Sequence, residues 1–165
     1  MKILVLSDSH SSLRLMRYAV EVVKPDAIVH LGDHFDDGEA LHELYPHIRF
    51  YQVPGNCDRY RCPPWSREIA VERVLGVDLY VTHGHKHSVK QRMDLLLAAA
   101  RSCGVQAVLY GHTHVANCYR ETDGLWVLNP GSCGHSGGSV GLIETERNEI
   151  LSCRILRLED LEAFT

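Results

Sequence analysis

Residues 2–10 read KILVLSDSH, and the switch from apolar to polar at Ser7 decides the fold. Lys2 to Leu6 is a short, β-branched, continuous apolar run, the pattern of a strand buried on both faces. The polar tail then falls at the strand's carboxyl end, the edge where open α/β sheets bind ligands.

The pattern recurs. AIVHL (27–31) runs into GDH, and RFYQV (49–53) runs into PGNCD. Between the first two strands, Leu13, Met16, Ala19, Val20 and Val23 mark one face of a helix. Ser11 or Ser12 is placed to cap it and Pro25-Asp26 ends it; a shorter helix is expected over Asp37–Tyr45. This strand–helix–strand–helix–strand order is that of a parallel sheet. The second half differs. Residues 67–74 and 77–83 read as a hairpin joined by Leu75-Gly76, followed by an amphipathic helix over 89–103 that Gly104 stops. QAVLYGH (106–112) is a strand, and hairpins follow over 116–129, around Asp123-Gly124, and over 139–156. A mostly parallel half joined without a linker to an antiparallel half implies two packed sheets with helices outside. The expectation is a single domain over 1–165.

Composition removes several classes. With 165 residues the chain can bury about two-thirds of its unfolded surface. A net charge of −4 argues against a nucleic-acid polymer or a membrane surface as partner. No apolar run approaches the roughly 20 residues of a membrane span, and the initial run is too short for a signal peptide. A cytoplasmic protein is expected. The cysteines at 57, 62, 103, 118, 133 and 153 form no C-x-x-C pair and are read as reduced. The unusual count is eleven histidines.

Polar residues collect at five strand ends: SDSH, GDH, GNCD, THGHKH and GHTH. Sheet geometry brings Asp8, His10, Asp33, Asn56, His83, His112 and His114 into one neighbourhood. In extended chain, residues two apart face the same way, so Asp8 and His10 address one point, as do His112 and His114. A set of two carboxylates, an amide oxygen and four imidazoles, without thiolate, suits two divalent transition-metal ions, Mn²⁺, Fe²⁺, Ni²⁺, Co²⁺ or Zn²⁺, better than Ca²⁺; Mn²⁺ is the first expectation. Two ions about 3.5–4 Å apart clamp the entering and leaving oxygens of an in-line phosphoryl displacement.

DSH (8–10), GDH (32–34), GNCD (55–58), THGH (82–85) and GHTH (111–114), followed by NPGS (129–132), resemble the calcineurin-like metallophosphoesterase superfamily. More narrowly they resemble its short bacterial and archaeal phosphodiesterase branch, over Met1 to about Leu158. The resemblance implies a four-layer α/β/β/α sandwich of two mixed β-sheets flanked by helices. It also implies a dinuclear site in which Asp8, His10 and His114 hold one ion, Asn56, His83 and His112 the other, and Asp33 bridges. Attack on a small phosphodiester by a metal-bridging hydroxide, with no covalent intermediate, is the implied mechanism. Asn56, His83 and His85 are the catalytic candidates, and the branch implies a small homodimer.

The chain departs from the family in two places. Cys57 stands where many members have a histidine that protonates the leaving group, and a thiol of ordinary pKa about 8.5 is a poor acid. No arginine follows NPGS until Arg147, so phosphate recognition is expected to fall to backbone amides, Asn56 and the metals; Arg59 and Arg61 are alternatives, both expected at the surface. His34 and His87 are expected to be solvated, and Asp36 and Asp37 to form a charged loop. The main rival function is a non-catalytic interaction scaffold, as in the retromer subunit of this fold, which departs from the ligand set kept here. An amidohydrolase is excluded because 165 residues cannot close a barrel of about 250. A thiol hydrolase built on Cys57 predicts activity in EDTA.

Overall fold

The computed structural model describes residues 1–164. The first half runs β1 (Lys2–Leu6), α1 (Leu13–Val23), β2 (Ala27–His30), α2 (Phe35–Leu44) and β3 (Arg49–Gln52). The second runs β4 (Ile69–Val74), β5 (Val77–Thr82), α3 (Asp94–Ser102), β6 (Ala107–Leu109), β7 (Asn117–Arg120), β8 (Trp126–Asn129), β9 (Ser139–Glu146) and β10 (Glu149–Arg157). Two five-stranded sheets result, ordered β10-β9-β1-β2-β3 and β4-β5-β6-β8-β7. In the first, β1, β2 and β3 are parallel while β9 pairs antiparallel with both β1 and β10; in the second, β5, β6 and β8 are parallel between antiparallel β4 and β7.

The apolar run in β1 is buried twice over. Ile3 and Val5 enter the seam between the sheets, where they meet Val29, Leu79, Leu109 and Leu128. Leu4 and Leu6 face the other way, onto Met16, Ala19 and Val20 of α1. A third seam packs Leu96, Leu97 and Ala100 of α3 on Tyr80, Val108 and Val127. The order is helix, sheet, sheet, helix, and both sheets bury both faces, which is why their central strands show no polar alternation. Among the described residues no helix is long and apolar enough to cross a membrane.

The hairpins form where expected. Leu75 and Gly76 both take positive φ (49° and 88°), as the two-residue turn between Val74 and Val77 requires. Two helix boundaries differ from expectation. The α3 helix begins at Asp94 rather than 89, because Ser88 turns left-handed (φ 54°) and accepts the N–H groups of Gln91 and Arg92. Val89 still packs in the α3 seam, so the apolar spacing ran on through a turn. The α2 helix begins at Phe35 rather than Asp37, for a reason found in the metal centre. Ser12 does sit at the start of α1, but its carbonyl rather than its hydroxyl meets the helix N–H groups.

Candidate metal centre

The ends of β1, β2 and β3 meet those of β5 and β6 along one edge. Hydrogen bonds stitch the loops together: Asp8 N–H to the Gly32 carbonyl at 3.0 Å and Gly111 N–H to the His83 carbonyl at 2.9 Å. The two sheets are joined there as well, by His112 N–H to Asp8 Oδ2 at 3.2 Å. All seven expected ligands border this edge, but not by the expected backbone. Asp8, His10, Asp33, His112 and His114 all have positive φ, between 45° and 69°. The D-x-H and H-x-H pairs therefore lie in left-handed turns beyond the strands, not in extended chain. Such conformations cost roughly 1–3 kcal/mol each and persist where surrounding structure enforces them, commonly at functional sites. Two glycines allow the close approach. A Cβ on Gly32 (φ 97°) would strike the Gly55 nitrogen, and one on Gly55 would strike Asp33 Oδ1.

Asp8, His10, Asp33 and His114 each bring one ligand atom into a group with all separations within 4.8 Å. His10 Nε2 and His114 Nε2 are 3.4 Å apart, and His114 Nε2 is 3.0 Å from Asp8 Oδ1. Asp8 Oδ1 is nevertheless fully buried without an aligned hydrogen bond. His83 is equally telling. Its Nδ1 lies 2.8 Å from the Leu31 carbonyl and so carries the proton, leaving Nε2 as a lone pair. That Nε2 is buried, makes no hydrogen bond, and lies 3.5 Å from Asp33 Oδ2 and 3.9 Å from Asp8 Oδ1. Lone pairs facing carboxylates out of water are costly unless a cation lies among them. A histidine donating its far N–H to a carbonyl is also the usual support of a metal ligand. The donor set fits a divalent ion.

Of the other expected ligands, His112 lies beside His83. The His83 and His112 ring centroids are 5.0 Å apart. Burial, with His83, Lys90 and His85 adding to it, pushes the His112 imidazole down to about 4, so its lone pair is available at neutral pH. Burial raises the Asp33 carboxyl, but His83 and the Cys57 N–H, at 3.0 Å from Oδ1, bring it below the ordinary carboxylate value. Asn56 is exposed and opens a single 3₁₀ turn, Asn56–Asp58, while His85 begins another, His85–His87. His85 Nε2 bonds Glu68 Oε1 at 3.2 Å, and its Nδ1 is buried without a partner. The Cys57 thiol is driven above its ordinary value, first by burial and then by Asp33, which disqualifies it further as an acid.

Two expectations need correction. His87 is buried, not solvated, and bonds the Tyr80 hydroxyl at 3.0 Å. Asp37 is no loose loop charge: its Oδ2 accepts Ser9 Oγ–H at 2.7 Å and Ser11 N–H at 2.8 Å, pinning the turn that carries His10. The sequence reading also missed two residues. The Asp58 carboxylate, fully buried, accepts four backbone N–H groups: Asp33 (2.8 Å), His34 (2.8 Å), Phe35 (2.9 Å) and Gly55 (2.7 Å). It thereby caps α2 from a distant segment and starts that helix at Phe35. His30, buried at the end of β2, accepts Gly32 N–H on Nδ1 and donates from Nε2 to Ser9 Oγ, both at 3.3 Å. Both signals were visible, in GNCD and AIVHL, but their partners are backbone groups and a serine of other loops.

A calcineurin-like phosphoesterase superfamily domain matches residues 1–148. A phosphodiesterase of Methanocaldococcus jannaschii is 30% identical over 167 residues, covering 90% of this chain and 96% of its own. Among solved structures, a Streptococcus pneumoniae protein described as a predicted phosphoesterase is 25% identical with a TM-score of 0.77, covering 96% of this chain and 90% of its own. The Vps29 protein of Entamoeba histolytica, in complex with zinc, has a TM-score of 0.68 at 18% identity, covering 96% and 100%, a likeness of fold. The chain belongs to the calcineurin-like phosphoesterase superfamily.

Proposed function

We propose that the protein is a phosphodiesterase that hydrolyses a small phosphodiester at a two-ion centre. Asp8, His10 and His114 would hold one ion, Asn56, His83 and His112 the other, and Asp33 both. The observation that carries this reading is the pair of buried atoms without a hydrogen bond, Asp8 Oδ1 and His83 Nε2, facing the same space. Divalent ions bound there, Mn²⁺ first among the candidates, supply Lewis-acid charge and bring the pKa of water toward about 7.

The chain's own residues place and orient. Asp33 stands at the junction of the two ligand groups, fixed by the Cys57 N–H and by the clamp of Asp58 on its own N–H. His83 is locked in one tautomer by the Leu31 carbonyl. Asn56 adds a neutral oxygen, leaving positive charge for an anionic phosphate. His85, held by Glu68, keeps an acceptor at Nδ1 for a water or hydroxyl. The reaction class is in-line displacement at phosphorus, water entering opposite the departing alkoxide. With Cys57 in place of an acid, diesters with good leaving groups are favoured over monoesters.

The test is a panel of bis(p-nitrophenyl) phosphate and p-nitrophenyl phosphate with Mn²⁺, Ni²⁺, Co²⁺ or Zn²⁺. Faster turnover of the diester, abolished by EDTA, is expected. No turnover with any metal would favour the scaffold reading, which the fold likeness to Vps29 keeps as the second choice.

A further inference from the structure

Beside the metal centre lies a cleft of about 590 Å³ whose lining includes Asn56, Arg59, Pro63, Glu68, His85 and Lys86. Asn56 and His85 belong to the centre as well, so the cleft opens directly from it. Its size lies in the range of small-molecule sites, roughly 300–1,000 Å³, and admits a nucleoside-sized ester arm.

Two cations face the cleft. The 3₁₀ turn Asn56–Asp58 continues into Arg59, at φ −47° and ψ −32°. Residues three apart in such a turn are eclipsed, so Asn56 and Arg59 project from one side. Arg61, the other candidate of this segment, is instead engaged by Asp36 at 3.5 Å and His34 Nδ1 at 3.1 Å. No carboxylate among the described residues pairs with Arg59; its guanidinium carbon lies 5.6 Å from the Tyr60 ring centroid. Lys86 Nζ is 3.2 Å from Glu68 Oε2, and the other oxygen of that carboxylate holds His85. Glu68 thus fixes a cation and a candidate catalytic imidazole side by side. In a chain of net charge −4, this lining carries more positive than negative side chains. The loop after NPGS offers no arginine before Arg147.

We infer that this cleft is an anion-recognising subsite for one ester arm of the substrate, with Arg59 and Lys86 as specificity-determining residues that receive a second phosphate. The inference rests on the phosphodiester reading above and narrows it to diesters whose arm is itself phosphorylated, as in a nucleotide. A guanidinium–phosphate contact is directional and charge-assisted, which makes Arg59 the stronger of the two.

The matched probes are thymidine 5′-(p-nitrophenyl phosphate) and its 3′-phosphorylated form, which differ by one phosphate. Metal-loaded wild type is expected to prefer the 3′-phosphorylated probe in kcat/KM by about tenfold or more, the scale of one charge-assisted contact. Arg59→Ala should cut that preference to less than twofold, Lys86→Ala should cut it in part, and Arg59→Lys should restore part of it. A wild type without preference, or a preference unchanged in both alanine variants, overturns the inference. Calorimetric titration supplies a readout free of turnover. Thymidine 3′,5′-bisphosphate should bind wild type about tenfold more tightly than thymidine 5′-monophosphate, and Arg59→Ala should lose that difference. If no diester is hydrolysed while this binding difference holds, the phosphodiester reading fails and the anion site stands. If diesters are hydrolysed and neither difference exists, the subsite fails alone.

Discussion

Asp58 shows how much one side chain can organise. Its two oxygens satisfy four N–H groups, those of Asp33, His34 and Phe35 in one loop and of Gly55 in another, and these loops carry Asp33 and Asn56. Asp58→Asn keeps the shape but turns an amide N–H₂ toward two of the donors. Leaving buried donors unpaired costs about 1–3 kcal/mol each. Urea unfolding should therefore show a loss of about 2–5 kcal/mol, and metal affinity should fall with it; unchanged stability would refute the clamp. Cys57→Ala should behave in the opposite way, keeping metal content and most of the activity, because the residue is exposed and its backbone N–H, which holds Asp33 Oδ1, is kept in the variant. Loss of metal in that variant, measured by elemental analysis, would overturn the assignment of Asn56 over Cys57. The candidate ligands are readable at this scale because each is a distinctive residue type after an apolar strand. Asp58 stayed hidden because a carboxylate serving main-chain donors has no characteristic partner in the sequence.

The strands and hairpins follow from local patterns: continuous apolar runs where both faces are covered, and turn residues that accept positive φ. Where an element begins depended on tertiary partners, as with Asp58 at α2. The loops after the strands were legible in content but not in conformation, since left-handed turns rather than extended chain aim Asp8, His10, His112 and His114. Beneath these loops His30 makes the element titratable. Its burial, only partly offset by Asp58, Asp8 and Asp37, lowers the imidazole to about 4 from an ordinary value near 6.5. Between those values the unfolded chain binds a proton that the native state does not. The stabilisation is thus complete above pH 6.5 and is lost as pH falls toward 4. In chelator-treated protein, His30 should account for a loss of about 2 kcal/mol between pH 7 and pH 5. His30→Gln should show a correspondingly smaller drop in urea stability over that interval; equal drops would contradict it.

At the scale of the molecule, the centre joins two sheets that meet elsewhere through an apolar seam and, away from it, the hydrogen bond from Gln106 Nε2 to the Asn148 carbonyl at 3.0 Å. Asp8, Asp33 and Asn56 come from one sheet's loops, and His83, His112 and His114 from the other's. An ion held by both groups ties the layers together at one edge, so metal binding should stabilise the whole sandwich. At a free metal concentration of about 100 times Kd the gain is about 2.7 kcal/mol, or roughly 5–10 °C in Tm for a protein of this size. EDTA should lower Tm by that amount, and Asp33→Ala should abolish both the shift and the activity. The layered architecture was readable from the order of parallel and antiparallel segments. The number of ions is tested most directly by titrating Mn²⁺ into chelator-stripped protein, counting bound ions per chain while measuring bis(p-nitrophenyl) phosphate hydrolysis in the same samples. Two ions per chain at saturation, with activity rising as the second site fills, is the predicted result. Full activity with a single ion bound, or turnover that persists in EDTA, would contradict it.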